Sequence, residues 1–214
     1  FPGANWNKKV YNTLDEDWDG VKNPNYPSNA ANSSKTALTW RKYLDPMSQY
    51  ADVWDTECCP IVFRYADVLL TWAEAENELN GPSADVYSKI NMVRKRVGMP
   101  DVDQSKYNSK EKLRELIRRE RGSEFAGEGL RRADILRWTT PSGKMVAETV
   151  LNGTLTRITG TVDTTVVDPT RRAIVSGTSV VEERTFHPYN RYLPIPQNNI
   201  SDNPKLVQNP GYAK

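Results

Sequence analysis

Ionisable groups are densest in ERGSEFAGEGLRRADILRW, Glu120 to Trp138. Two carboxylates in a cleft can share acid and base duty, and glycoside hydrolysis uses such a pair. Here every carboxylate of the run has an arginine close by in sequence. An arginine partner favours the ionised carboxylate and takes it out of proton transfer at neutral pH. Arginine forks also grip carboxylates with two parallel bonds, which suits locking a helix to a loop. The run therefore reads as a structural ion network. Between residues 110 and 138, nine basic and six acidic residues interleave, a poor track for phosphates. The single histidine, His187, lies between Phe186 and Pro188 with no nucleophile motif nearby, and reads as structural. The chain carries no glycine-rich phosphate loop, Cys–His metal spacing or dinucleotide fingerprint. No catalytic residue, metal ligand or cofactor is assigned, although two carboxylates among 27 acidic residues leave a glycosidase open. Asp15, Asp17, Asp19 and Gly20 match the first half of a calcium loop, but the twelfth position is Tyr26 where a bidentate Glu is needed. A solvated acidic turn is the better reading.

The remaining chemistry is aromatic. Four of the six tryptophans, Trp6, Trp18, Trp40 and Trp54, fall in the first 60 residues among Asn, Asp, Lys and Pro. Sugars present flat C–H faces that stack on indole and phenol rings, and their hydroxyls bond to Asn, Asp and Lys side chains. WNKK, EDWDG and NPNYPSN offer that mixture, so Trp6, Trp18 and Tyr26 are the candidate carbohydrate-binding residues.

Three zones must position these groups. Residues 1–63 show no sustained period and read as long loops with short helices, the glycan-facing part. Residues 64–138 are helical. Tyr65, Val68, Leu69, Trp72 and Leu79 make one apolar stripe, predicted to face inward. Gly81 and Pro82 stop that helix, and Ser83 caps the next, whose stripe is Val86, Ile90, Val93 and Val97. The pair spans about one tetratricopeptide-like unit, which cannot bury both faces alone. Ser109 caps a third helix with the stripe Leu113, Leu116, Ile117 and Glu120. In residues 139–214, Thr and Val from Thr149 to Val181 predict one or two β-hairpins, and a proline-rich tail reads as an ordered strap.

Composition adds limits. Hydrophobic content is 37%, below the roughly 45–50% of an average domain. The core is therefore accompanied by long loops, or completed by chain outside these residues. Net charge is +2, so no global field argues for nucleic acid. Cys58 and Cys59 are neighbours, a poor disulfide geometry, and read as thiols. No run of about 18 apolar residues spans a membrane. The sequence starts at Phe1, and we expect a piece of a longer protein.

RYADVLLTWAEAENEL, INMVRKRVGMP, RRERGSEFAGEGLRRADILRW and YLPIPQNNISDNPKLVQNPGY resemble, in order and spacing, the C-terminal part of the SusD/RagB family. The resemblance implies a mainly α fold of TPR-like helix pairs with long irregular loops, the hairpin being small, all within one larger domain. It implies a lipoprotein on the outer face of the outer membrane, anchored through an N-terminal lipid outside these residues. Its implied work is non-catalytic binding of extracellular glycan and delivery to a SusC-type TonB-dependent transporter. The family's glycan-contacting loops are its least similar part, so no binding residue carries over by motif. Two rivals remain: a helical scaffold that binds peptide or protein, and a carbohydrate-active enzyme.

Overall fold

The computed structural model describes residues 5, 6, 9–29, 31, 33–40, 42, 43 and 57–212, and the side chains of Asn5, Trp6 and Lys9 lie outside the described part. The chain divides into two compact units, Cys59–Asp134 and Phe1–Cys58 with Ile135–Lys214.

The first unit is built on three helices. Helix α1 (Tyr65–Asn80) is rich in Ala, Leu and Glu, good helix formers, and ends where the Gly81 N–H bonds to the Asn77 carbonyl. Ser83 then caps α2 (Ala84–Arg96) by accepting from the Val86 N–H. Ser109 does the same for α3 (Lys110–Glu124), accepting from Lys112. One core joins them: Ala66, Leu69, Leu70 and Ala73 from α1, Val86, Tyr87, Ile90 and Val93 from α2, and Leu113, Leu116 and Ile117 from α3. The Ala residues of α1 let the neighbouring helices approach closely. Buried Asn77 donates to the Lys110 carbonyl at 3.0 Å, which fixes the start of α3 against the end of α1. Tyr87 Oη bonds the Tyr107 carbonyl at 2.7 Å, and Asn91 accepts from the Val102 N–H, so the loop between α2 and α3 is tied to α2.

The α1 stripe departs from its predicted role. Of Tyr65, Val68, Leu69, Trp72 and Leu79, only Leu69 is buried, and the other four are exposed. The sequence carries two apolar stripes about 100° apart, one helical residue step. The narrower one, Ala66, Leu70 and Ala73 with Asn77, faces α2 and α3. Val97, assigned to the α2 stripe, is exposed just beyond the last turn, while the α3 stripe extends to Arg121 in place of Glu120.

The second unit holds a two-stranded antiparallel hairpin, β5 (Gly153–Val162) with β6 (Ala173–Arg184). Ahead of it in sequence lie two-residue strand pairs, β1 (Asn5–Trp6) with β2 (Lys9–Val10) and β3 (Asp17–Trp18) with β4 (Val21–Lys22). Leu14, Ala37 and Val162 form a small core, joined by Val10, Trp18, Ile158 and Ala173, so the hairpin packs on the early loops. A second core, Ile135, Trp138, Ala147 and Phe186, gathers the end of α4 (Leu130–Arg137) and α5 (Ala147–Val150).

The tail is latched through side chains. Gln208 both accepts from the Ile195 N–H at 2.8 Å and donates to its carbonyl at 2.9 Å, as a neighbouring strand would. Asn209 donates to the Leu193 carbonyl, and Tyr212 Oη to that of Tyr192, both at 2.7 Å. Gly211 has φ +90°, and a Cβ there would lie 2.3 Å from the Tyr189 ring. The segment before α6 (Gln197–Asp202) and the final QNPGY are thereby one knot, with Tyr212 packed edge-on against Tyr189.

Candidate functional site

The early loops are organised by three asparagines, Asn12 and Asn23 buried and Asn29 half-buried. Asn12 Oδ1 accepts from the Leu14 and Asp15 N–H groups at 2.9 and 3.2 Å, and its Nδ2 donates to Asp15 Oδ2 at 2.7 Å. Asn23 Nδ2 donates to the carbonyls of Asn12 and Asp15, and its Oδ1 accepts from Asn25. Asn29 Nδ2 bridges the carbonyls of Glu16 and Asn23. Loop backbone needs such partners wherever it leaves solvent. Asn12, Asn23 and Asn29 therefore build the loop, and their amide groups are turned to its own carbonyls. The loop is fastened to the hairpin by Asp15 Oδ2, which accepts from the Val162 N–H at 3.1 Å. Thr13 Oγ1 bonds the Ala37 carbonyl at 2.7 Å, adding a second strand of loop to the same base.

On this base stand the aromatics. Trp18 is held in the tight pair β3–β4, where Asp19 and Gly20, both at positive φ, supply the two-residue turn. Its indole is half-buried, one part against the Leu14–Ala37–Val162 core. Tyr26 is also half-buried, with the Arg157 guanidinium 5.4 Å from its ring centroid. Arg157 is itself held, its Nε donating to Ser179 Oγ at 2.9 Å. Trp6 pairs with Lys9 in β1–β2, and its side chain lies outside the described residues. Trp54 lies outside them altogether. Trp40 was not singled out by its sequence neighbours. Yet it is 65% exposed, three residues after fully buried Ala37, which anchors the segment. Sequence carried no signal that separates it, because its exposure is read only against the burial of Ala37.

The acidic candidates go elsewhere. Asp15 is committed to Val162 and Asn12, and Asp17 pairs with Lys22 at 3.3 Å. Among the described residues no three His, Cys, Asp or Glu side chains converge as a metal site would require. No disulfide joins Cys58 and Cys59. His187 is exposed and stacks on Tyr189 at 5.2 Å.

The ion network lies in the helical unit. Buried Arg121 grips Asp134 with two bonds of 2.9 and 3.2 Å and reaches Asp67 at 2.9 Å and Thr71 at 3.0 Å. Arg64 binds Glu128 at 2.8 and 2.9 Å and also Glu124, which takes Arg96 as well at 2.6 Å. The hydrogen bond that Arg64 donates to Glu128, ahead of the one to Glu124, holds its guanidinium pKa far above the usual value. Arg94 pairs with Glu120, and Arg114 with Glu78. The hydrogen bond from Arg114 outweighs partial burial and lowers the Glu78 carboxyl below its ordinary value. Each carboxylate named here faces a guanidinium, which ties helices together.

Known proteins share this architecture. The model of the SusD family matches residues 1–212. SusD-like protein P25 of Formosa agariphila is 48% identical over 79 residues, 36% of this chain and 15% of that protein. SusD-like protein P38 of the same organism is 37% identical over 83 residues, 36% of this chain and 16% of that protein. The crystal structure of a SusD-like protein from Bacteroides fragilis is similar with a TM-score of 0.53 and 33% identity, covering 72% of this chain and 26% of that one. In these matches the chain spans between 15% and 26% of its relatives' length.

Proposed function

The chain belongs to the SusD family, and from that premise we propose that it is part of a non-catalytic binder of extracellular glycan at the outer membrane surface. In the full-length protein a lipid anchor holds it there, and bound glycan passes to a SusC-type TonB-dependent transporter. The observation that carries the reading is the loop base of Asn12, Asn23 and Asn29, which orders the loop that bears Trp18 and Tyr26, beside the exposed Trp40 that follows buried Ala37. A loop already held by its own hydrogen bonds has less conformational entropy to lose on binding, so less of a weak stacking contact is spent on ordering the protein. The glycan-contacting residues in this reading are Trp6, Trp18 and Tyr26, with Trp40 added. Arg157, fixed above Tyr26, offers guanidinium donors to hydroxyls at the ring's edge.

The test is a screen of the full-length protein by affinity electrophoresis through polysaccharide gels, beside an array of peptides. Retardation by a polysaccharide, with the polymer recovered uncut, supports the reading. Binding confined to peptides makes the helical-scaffold alternative correct, and shortened polymer makes the protein an enzyme.

A further inference from the structure

In the helical unit Arg64, Arg94, Arg114 and Arg121 each end on a carboxylate. On and beside the hairpin Arg184 meets Glu182, and Arg171 meets Asp168. Arg157, on β5, differs: among the described residues no Asp or Glu pairs with it. It is half-buried all the same, and held from two sides. Its Nε donates at 2.9 Å to the hydroxyl of Ser179, the residue opposite it on β6, and its guanidinium carbon lies 5.4 Å from the Tyr26 ring centroid. Tyr26 is fixed in turn, its N–H bonding the Asn23 carbonyl and its own carbonyl accepting from Asn29. The Nη1 and Nη2 groups of Arg157 meet no acceptor among the described residues. Thr159 and Gly177, the next pair on the same face of the hairpin, are small and put no bulk beside that fork.

A half-buried guanidinium has lost part of its hydration, and an opposite charge compensates that loss better than a neutral hydroxyl does. With Nε occupied, Nη1 and Nη2 present the end of the fork, which matches two oxygens of one acid group. The carboxylates of the aromatic loop are engaged elsewhere. Glu16 and Asp17 share Lys22 at 2.8 and 3.3 Å, and Asp15 is bound to Val162 and Asn12. A fork held in place without a counter-charge suits an incoming anion. Resting on the glycan-binding reading, we propose that the ligand of this face is an acidic glycan, with a sugar ring packed beside Tyr26 and its carboxylate or sulfate ester on Arg157. The phenol ring at the base of the fork favours a sugar over an acidic peptide, because it sets a flat apolar surface next to the charge.

The experiment titrates the full-length protein with matched polymers: polygalacturonate beside its methyl ester, and dextran sulfate beside dextran. Laminarin and mannan serve as further neutral glycans, and polyglutamate as an acidic peptide. The acidic member of at least one pair should bind about tenfold or more tighter than its neutral partner, the scale of a charge-assisted hydrogen bond. Which pair responds tells carboxylate from sulfate. Arg157→Gln should remove the difference at unchanged melting temperature. Arg171→Gln, which takes the same charge from an exposed position, should keep it. Equal affinity within both pairs, binding of neutral glycans alone, or an acidic preference that survives Arg157→Gln would overturn the inference and leave the glycan reading standing. Binding of polyglutamate and of no polysaccharide would overturn both. If Arg157→Gln fails to fold, Arg157→Lys decides: it keeps the charge and loses the fork, and should narrow the acidic preference, whereas an unchanged preference contradicts the proposal.

Discussion

Arg121 shows how much of this chain's chemistry is spent on holding itself together. It is 5% exposed and serves Asp134, Asp67 and Thr71 from one guanidinium. Removing one member of a buried pair strands the other, so Arg121→Ala should cost about 3–5 kcal/mol in urea denaturation. A cost within experimental error would mean that the pair is not buried in solution. Glu78 offers a pH-dependent test. Its carboxyl is lowered in the folded state, chiefly by the bond from Arg114. A lowered folded value means stability that is present above the unfolded value and lost as pH falls through the folded one. Glu78→Gln should therefore destabilise at pH 7, and the difference from wild type should shrink as pH drops below about 4, the ordinary Glu range. A pH-independent difference would assign the effect to packing. The sequence announced a network through its alternating charges but pointed to partners close by in sequence, whereas the pairs that form join residues 13 to 64 positions apart. It did not announce Arg121 as the hub, since Asp67 is 54 positions away and is brought there by folding.

Among the elements, α1 separates what periodicity reveals from what it conceals. The helix, its Gly81 end and the Ser83 and Ser109 caps were all legible, because each is decided by neighbours within four residues. Which stripe turns inward was not, because two stripes compete and the choice depends on how closely α2 and α3 approach. The larger residues won on hydrophobicity, and the small Ala66 and Ala73 won on fit. The two faces make opposite predictions in the 214-residue chain. Leu70→Ala should cost about 2–5 kcal/mol, the range for emptying a packed site. Leu79→Ala should stay within about 0.5 kcal/mol, as for a surface position. Comparable losses in thermal denaturation would show that the outer stripe is packed after all.

For the whole molecule, the family was legible because its motifs coincide with positions where geometry is demanding. QNPGY is one: Gln208 and Asn209 latch onto the backbone after Tyr192, and Gly211 admits the Tyr189 ring. The loops that carry the proposed ligand contacts were only partly legible. Their asparagines, read as partners for sugar hydroxyls, turn inward to their own backbone, and loop carbonyls 6 to 13 positions away leave no periodic trace. Trp40 stands out only once Ala37 is seen to be buried. The central claim is that these loop aromatics hold a glycan that the protein does not cut. Titration calorimetry of the full-length protein against a polysaccharide retained in the affinity gels tests it most directly, in wild type and in Trp18→Ala, Tyr26→Ala and Trp40→Ala. Losing one stacking ring worth about 1–2 kcal/mol should weaken binding about tenfold in at least one variant, with melting temperature retained and the titrated glycan unchanged in length. Wild-type affinity in all three folded variants, or shortened glycan, would contradict it.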